Sequence, residues 1–177
     1  NGITTKEIHD SLIKSAEGLI SVDYPHYSEV AARLLLYWIR KEVWGGNKAP
    51  RLIDHIKNCV SLGLYTPELL EKYTEEEINK IDKFVDHSLD ETMFDLAGLK
   101  YVYNTVLVQD RVNNKVYETP QFAFVCIGMT HFSDYESKRK INFVKDFYHF
   151  VSNRKLNIPT PMLTRWRTNT KSGASCC

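Results

Sequence analysis

The chain has 177 residues, of which 43% are hydrophobic and 25% charged, with a formal net charge of +1 at pH 7. That length and composition fit one ordinary soluble domain, or one and a fraction, with a real core. The balanced charge offers no global field for nucleic acid or a membrane surface, and no apolar run approaches the roughly 18 residues of a membrane helix. The opening Asn1-Gly-Ile-Thr has neither a basic region nor an apolar stretch of the secretory type and lacks an initiator Met, so a chain cut at both ends is expected.

Thr4-x-x-Glu7 is a capping box, and Ile8, Leu12, Ile13, Ala16, Leu19 and Ile20 follow at helical spacing, so a first helix is expected ahead of Tyr24-Pro25. A second is expected from about Ser28 to Trp44, stopped by Gly45-Gly46. Its stretch from Ala31 to Ile39 is apolar nearly all round, the pattern of a helix buried on several sides. A short helix follows from about Pro50 to Leu62. Thr66-Pro67 supplies an N-cap with Pro at the first helical position. Thr74-x-x-Glu77 is a second capping box, ahead of Ile78, Ile81, Phe84 and Val85. A further helix is expected from about Asp90 to Tyr103. The clear β signal runs from Thr105 to Thr119, where Asn113-Asn114 can supply the two positive φ values of a tight hairpin. Helices resume at Gln121 to Phe132 and at Glu136 to Ser152, the latter with a stripe of Ile141, Val144, Phe147, Tyr148 and Val151. Leu156 to Leu163, bounded by Pro159 and Pro161, reads as extended. The expected fold class is mainly α with one β-hairpin.

Cys59 and Cys126 sit in apolar patterns and read as buried small hydrophobes. No cysteine spacing suits zinc, and the usage suggests a reducing cytosol rather than a disulfide framework. His9, His26, His55, His87, His131 and His149 form no ligand pair, so no metal is expected. Trp44-Gly-Gly-Asn-Lys48 is a helix stop rather than a phosphate loop, because it lacks the spacing and follows a helix. Glu75, Glu76 and Glu77 with Lys72 and Lys80 read as a solvated face. From Phe147 onward the chain holds five cations (Arg154, Lys155, Arg165, Arg167 and Lys171) and no acid. Two readings of this tail stay open: a solubilising end, or an anion site in which Thr160, Thr164, Thr168, Thr170, Ser172 and Ser175 join the cations around a phosphate. The adjacent Cys176 and Cys177 are either incidental thiols or, beside those cations, reactive ones of lowered pKa.

Gly2-Ile-Thr-Thr-Lys-Glu-Ile-His-Asp, Ala31-Ala-Arg-Leu, Tyr73-Thr-Glu-Glu-Glu, Tyr117-Glu-Thr-Pro-Gln-Phe and, above all, Pro159-Thr-Pro followed by Arg167-Thr-x-Thr and Ser175-Cys176 resemble the large (alpha) subunit of class I aerobic ribonucleotide reductase. The resemblance covers essentially the whole chain, in order and nearly without gaps, and extends to the phage type, whose genes are often interrupted. It implies an N-terminal fragment: the C-terminal part of an ATP-cone at 1–45, a helical N-terminal domain at 46–155, and at 156–177 the first strand and thiol loop of a ten-stranded α/β barrel. The strand at Ile158 would then have no neighbour in this chain, an edge prone to association and mobile from about Leu156.

The resemblance also implies roles. Cys176 matches the first cysteine of a redox pair that reduces a ribonucleoside diphosphate as its 2′-hydroxyl leaves as water, after a thiyl radical has taken the 3′-hydrogen. Thr160 and Ser175 match residues that bind the substrate diphosphate. Thr5, His9 and Lys41 match ATP-cone contacts to the effector, ATP or dATP. Read alone, those three are a cap-region Thr, a helix-surface His and a Lys favourable to a helix C-terminus. The implied partners are the rest of the alpha subunit, a beta subunit carrying the di-metal radical centre, and thioredoxin or glutaredoxin as reductant. No cofactor is bound by this segment, no membrane or nucleic acid is implicated, and the location is cytoplasmic (host cytoplasm for a phage protein). Activity is implied only for the complete subunit. The radical cysteine, second redox cysteine and radical-pathway tyrosines would lie beyond Cys177, and the glycine-rich front of the cone is missing. Cys177 stands where the family has an aliphatic residue. That leaves open which thiol acts, and whether the end is an intein junction, a gene split or a truncated product. The alternative is a non-catalytic helical module that senses nucleotide or docks a partner, although half a pocket lacks the burial that affinity needs.

Overall fold

A computed structural model describes residues 2–170 apart from 47, 111 and 114. Helix α1 (Thr5–Gly18) opens on the expected capping box, with Glu7 N donating to Thr4 Oγ1 at 3.2 Å and Thr4 N donating to the Glu7 carboxylate at 2.7 Å. It turns back through residues 19–26 onto α2 (Tyr27–Trp44), which ends where Gly45 adopts φ 68° in the left-handed region. Ile13 and Ala16 of α1, Ala31, Leu36 and Ile39 of α2, and Leu96, Leu99, Val106 and Val116 from later in the chain close one core.

A second core gathers around α3 (Leu52–Ser61), α4 (Glu68–Glu71), α5 (Glu75–Asp82), α8 (Pro120–His131) and α9 (Ser137–Ser152). Its centre is α8. From Pro120 through Met129 every residue of α8 is buried, as an all-round apolar helix must be. Phe122 lies in the second core and Ala123 in the first, so α8 joins the two. The helix can lie this deep because a neighbouring ring covers Gly128, where an added Cβ would meet Phe147 Cδ1 at 2.8 Å. Gly128→Ala gains helix propensity yet overpacks a closed contact, and we expect a net loss of about 1 kcal/mol. A urea midpoint equal to or above that of the unaltered chain would contradict this.

Several expected elements are redrawn. Thr66 does not cap a helix with Pro67 at its first position; Pro67 itself precedes α4, without a side-chain cap. The Thr66 N–H instead donates to the carbonyl of Arg167 at 2.9 Å. The single helix expected from Asp90 to Tyr103 is two, α6 (Asp90–Met93) and α7 (Leu96–Tyr101). Phe94 is extended between them, and Asp95 starts α7 anew by accepting from Gly98 N at 2.7 Å. The β signal from Thr105 shrinks to β1 (Gln109–Asp110) paired antiparallel with β2 (Lys115–Val116), Gln109 opposite Val116. Thr105 and Val106 belong instead to a π-helical turn, Val102–Val106, that continues α7. There burial against the first core overrides β propensity. The loop is closed by the Asp110 carboxylate, which accepts from Val112 N at 2.8 Å and from the Asn113 amide at 2.6 Å. Asn113 does not take a positive φ, and residue 114 lies outside the described residues.

The largest change concerns the segment Leu156 to Leu163. It is extended only as far as Pro159, and α10 (Thr160–Arg165) follows, with Pro161 in its first turn. Ile158 is not on an exposed strand edge; it is 7% exposed and belongs to the second core. Among the described residues, no strand forms here.

Candidate functional site

Thr160 is the first residue of α10 and is exposed. Its hydroxyl lies 2.9 Å from the Tyr101 Oη at the end of α7. A threonine hydroxyl both accepts and donates, so Thr160 can accept from Tyr101 and still donate outward. The backbone carbonyl of Thr160 accepts from Thr164 Oγ1 at 3.0 Å.

The far end of α10 is held from inside the protein. Arg167 is completely buried, although the sequence places it among the solvated or anion-facing cations. Its Nε donates to Glu118 Oε2 at 2.7 Å, and its Nη2 donates to Glu118 Oε1 and, at 2.8 Å, to the carbonyl of Val106. Nη1 donates to the carbonyl of Leu163, in α10 itself. Glu118, equally buried, also accepts from Tyr65 Oη and from Val108 N at 2.6 Å. His55 Nε2 lies 3.2 Å from the same Tyr65 hydroxyl. Burial opposes the guanidinium charge, but Glu118 outweighs it and holds Arg167 above its ordinary value. Burial, with Glu118 adding to it, pushes Tyr65 well up. A two-pronged Arg–carboxylate pair with further hydrogen bonds to backbone carbonyls is the form in which buried charges are tolerated.

Sequence reasoning missed this network. Its one legible signal is Glu118, an acid just ahead of a run that is apolar from Phe122 to Ile127 and so in need of a partner. Glu77 was misread in the same way. It serves its capping box, but it is buried, with Lys140 Nζ at 3.1 Å and a hydrogen bond from Ser137; Glu75, Glu76, Lys72 and Lys80 are exposed as expected. Cys59 and Cys126 are buried as expected, and burial pushes the Cys59 thiol up to about 12.

Thr5, His9 and Lys41 cluster by secondary structure. Thr5 and His9 are one turn apart on α1. The His9 ring lies 5.4 Å from that of Tyr37 and 5.1 Å from that of Trp38, and Lys41 is one turn beyond Tyr37 on α2. Because α1 and α2 run antiparallel, the Thr5 end of one meets the Lys41 end of the other; Lys6 acts there on the Glu42 carboxyl. Thr5 and Lys41 are exposed. His9 is not the surface residue expected: it is 9% exposed, and its Nδ1 is buried without a partner. Ser175, Cys176 and Cys177 lie outside the described residues. Among those described, no three His, Cys, Asp or Glu side chains gather as for a metal ion, and no helix is long and apolar enough to cross a membrane.

Beneath α2 a second polar network carries a pH signature. Gln121 Nε2 donates to Asp90 Oδ1 at 2.8 Å, while Gln121 Oε1 accepts from Tyr148 at 2.7 Å and Ser152 at 3.0 Å. Burial raises Asp90 to about 7 and lowers His55 and His87 to about 4. Between its ordinary value and about 7, folded Asp90 keeps a proton that the unfolded chain has lost, so its contribution declines as pH rises through that window. The two histidines act oppositely: as pH falls from 6.5 to about 4 the unfolded chain takes up protons that the fold refuses, and stability falls. We expect Asp90→Asn to melt higher than the unaltered chain at pH 8 and to lose that advantage towards pH 5. An advantage equal at both pH values would contradict the assignment.

Residues 92–171 match the family described as ribonucleotide reductase, all-alpha domain. Over 176 residues the chain is 41% identical to ribonucleoside-diphosphate reductase 1 subunit alpha of Escherichia coli strain K12, covering 99% of this chain and 23% of the relative. The alpha subunit of Haemophilus influenzae is 40% identical over 175 residues, and that of Enterobacteria phage T4 is 41% identical over 176, each with the same coverages. The chain thus spans about a quarter of the length of these curated relatives.

Proposed function

We propose that this chain, whose residues 92–171 match the all-alpha domain of ribonucleotide reductase, is the N-terminal segment of a ribonucleoside-diphosphate reductase alpha subunit. In this reading the complete subunit reduces ribonucleoside diphosphates to deoxyribonucleotides in the cytoplasm, and this segment supplies one reducing thiol and part of the diphosphate grip. The observation that carries it is near-40% identity along 99% of the chain to several alpha subunits, one of them from a phage.

Within it, residues 1–45 form the C-terminal part of an ATP-cone, 46–155 the helical domain, and 156–177 the approach to the catalytic barrel. Cys176 is the first thiol of the redox pair. When the pair reduces substrate, two thiols give up two electrons and their hydrogens, the 2′-hydroxyl departs as water, and a disulfide forms that thioredoxin or glutaredoxin must reopen. Thr160 and Ser175 bind the diphosphate. The exposed Thr160 hydroxyl, 2.9 Å from the Tyr101 hydroxyl and able to accept from it while donating to a phosphate oxygen, supports that role. Thr5, His9 and Lys41 contact an ATP or dATP effector, and the unpartnered His9 Nδ1 beside two aromatic rings supports it. The radical originates at a di-metal centre on a beta subunit.

Reconstitution tests the reading. The complete alpha subunit containing this segment, mixed with a beta subunit, a ribonucleoside diphosphate and thioredoxin or glutaredoxin, should form deoxynucleoside diphosphate. Its failure to do so, in a folded complex that supports radical formation, would remove the reading.

A further inference from the structure

Resting on the assignment of Thr160 to the substrate diphosphate, we propose that Arg167, Glu118 and Tyr101 are positioning residues that hold the Thr160 hydroxyl in its phosphate-binding pose. Thr160 begins a helix of six residues, too short to keep its own place. Two holds fix it. At its C-terminal end Arg167 ties the Leu163 carbonyl of α10 to the Val106 carbonyl at the end of the π-helical turn, and Glu118 accepts two further guanidinium hydrogens. The backbone of Arg167 is tied as well, its carbonyl accepting from Thr66 N at 2.9 Å. At the N-terminal end, Tyr101 meets the Thr160 hydroxyl itself at 2.9 Å. Tyr101 closes α7 and the π turn that ends at Val106 follows at once, so both holds are anchored on one continuous helical stretch. If the Tyr101 hydroxyl donates, the Thr160 proton is aimed away from the protein, where a phosphate oxygen can accept it. Arg167 therefore acts on the anion only through Thr160. The chemistry gripped is the terminal phosphate pair of a nucleoside diphosphate.

The test uses the complete alpha subunit with its beta subunit, effector saturating, and KM and kcat for the ribonucleoside diphosphate as readouts. Thr160→Ala should raise KM about tenfold with little change in kcat, as expected for uniform binding lost. Arg167→Lys keeps a charge but loses the fork, and should raise KM by about tenfold through misplacement of the hydroxyl. Combined, the two should raise KM by about tenfold rather than a hundredfold, because each removes the same interaction. Tyr101→Phe, at the surface and without consequence for folding, should raise KM about threefold alone and add nothing to Thr160→Ala. It decides the matter if Arg167→Lys does not fold. An unchanged KM in Arg167→Lys and Tyr101→Phe, or effects that multiply fully with Thr160→Ala, would overturn the positioning role while leaving Thr160 as a phosphate ligand. An unchanged KM in Thr160→Ala would remove the Thr160 assignment itself, and the positioning role with it.

Discussion

Arg167→Ala should destabilise the chain by about 3–5 kcal/mol, the cost of leaving one member of a buried ion pair alone. Glu118 would stay at zero exposure with its charge uncompensated, and the carbonyls of Val106 and Leu163 would lose their donors. The control is another arginine–carboxylate pair in the same protein. Arg51 meets Asp54 with a similar two-pronged geometry, its Nε 2.8 Å from Asp54 Oδ2, but the side chains are 59% and 48% exposed. Arg51→Ala should therefore cost far less, because solvent screens the pair. The forked ion-pair geometry is alike in the two pairs; burial and the added bonds of Arg167 to the Val106 and Leu163 carbonyls separate the outcomes. Replacing both buried partners by apolar residues, as in Glu118→Leu with Arg167→Met, should restore much of the loss. Urea unfolding reads all four proteins. A midpoint for Arg167→Ala no lower than that for Arg51→Ala would show that Glu118 is not sequestered as described.

The second large effect is on turnover. In the complete alpha subunit, Cys176→Ser should lower deoxynucleotide formation by about a thousandfold or more while substrate binding persists, because serine can bind but cannot give up electrons to form a disulfide. Cys177→Ser should retain activity, which decides between the two adjacent thiols. The other cysteines cannot substitute. Cys59 and Cys126 are wholly buried, and burial raises both thiols far from the reactive range. Full turnover by Cys176→Ser, or loss confined to Cys177→Ser, would reassign the chemistry.

Local signals proved reliable where they acted alone. Both capping boxes form, at Thr4 and Thr74, because the reciprocal bonds span three residues and need nothing from elsewhere. Gly45 stops α2 for the same local reason, and the apolar run of α8 goes where such a run must, to the middle. Reading failed where distant contacts decide. Thr105 and Val106 have strand propensity, yet a core face captured them into a helical turn. Leu156 to Leu163 looked like a strand because its prolines forbid an ordinary helix interior. Pro161 is nevertheless welcome in a first turn, and Ile158 found the second core without pairing. His9 is buried, with the rings of Tyr37 and Trp38 of the neighbouring helix beside it. Arg167 is the clearest case: nothing near it in sequence marks it as buried, since its partner Glu118 is 49 residues away. The candidate site was legible as motifs and residue types. The arrangement around Thr160 was not, because the bonds of Tyr101 to Thr160 and of Arg167 to Glu118 and Val106 join residues far apart in sequence.

The most direct test of the central claim is to follow the thiol. A fully reduced complete alpha subunit, combined with its beta subunit and a ribonucleoside diphosphate but no external reductant, is allowed one turnover, trapped with alkylating reagent and mapped by mass spectrometry. The account predicts that Cys176 is recovered in a disulfide in proportion to the deoxynucleotide formed. Product formed while Cys176 is recovered alkylated, as a free thiol, would contradict it.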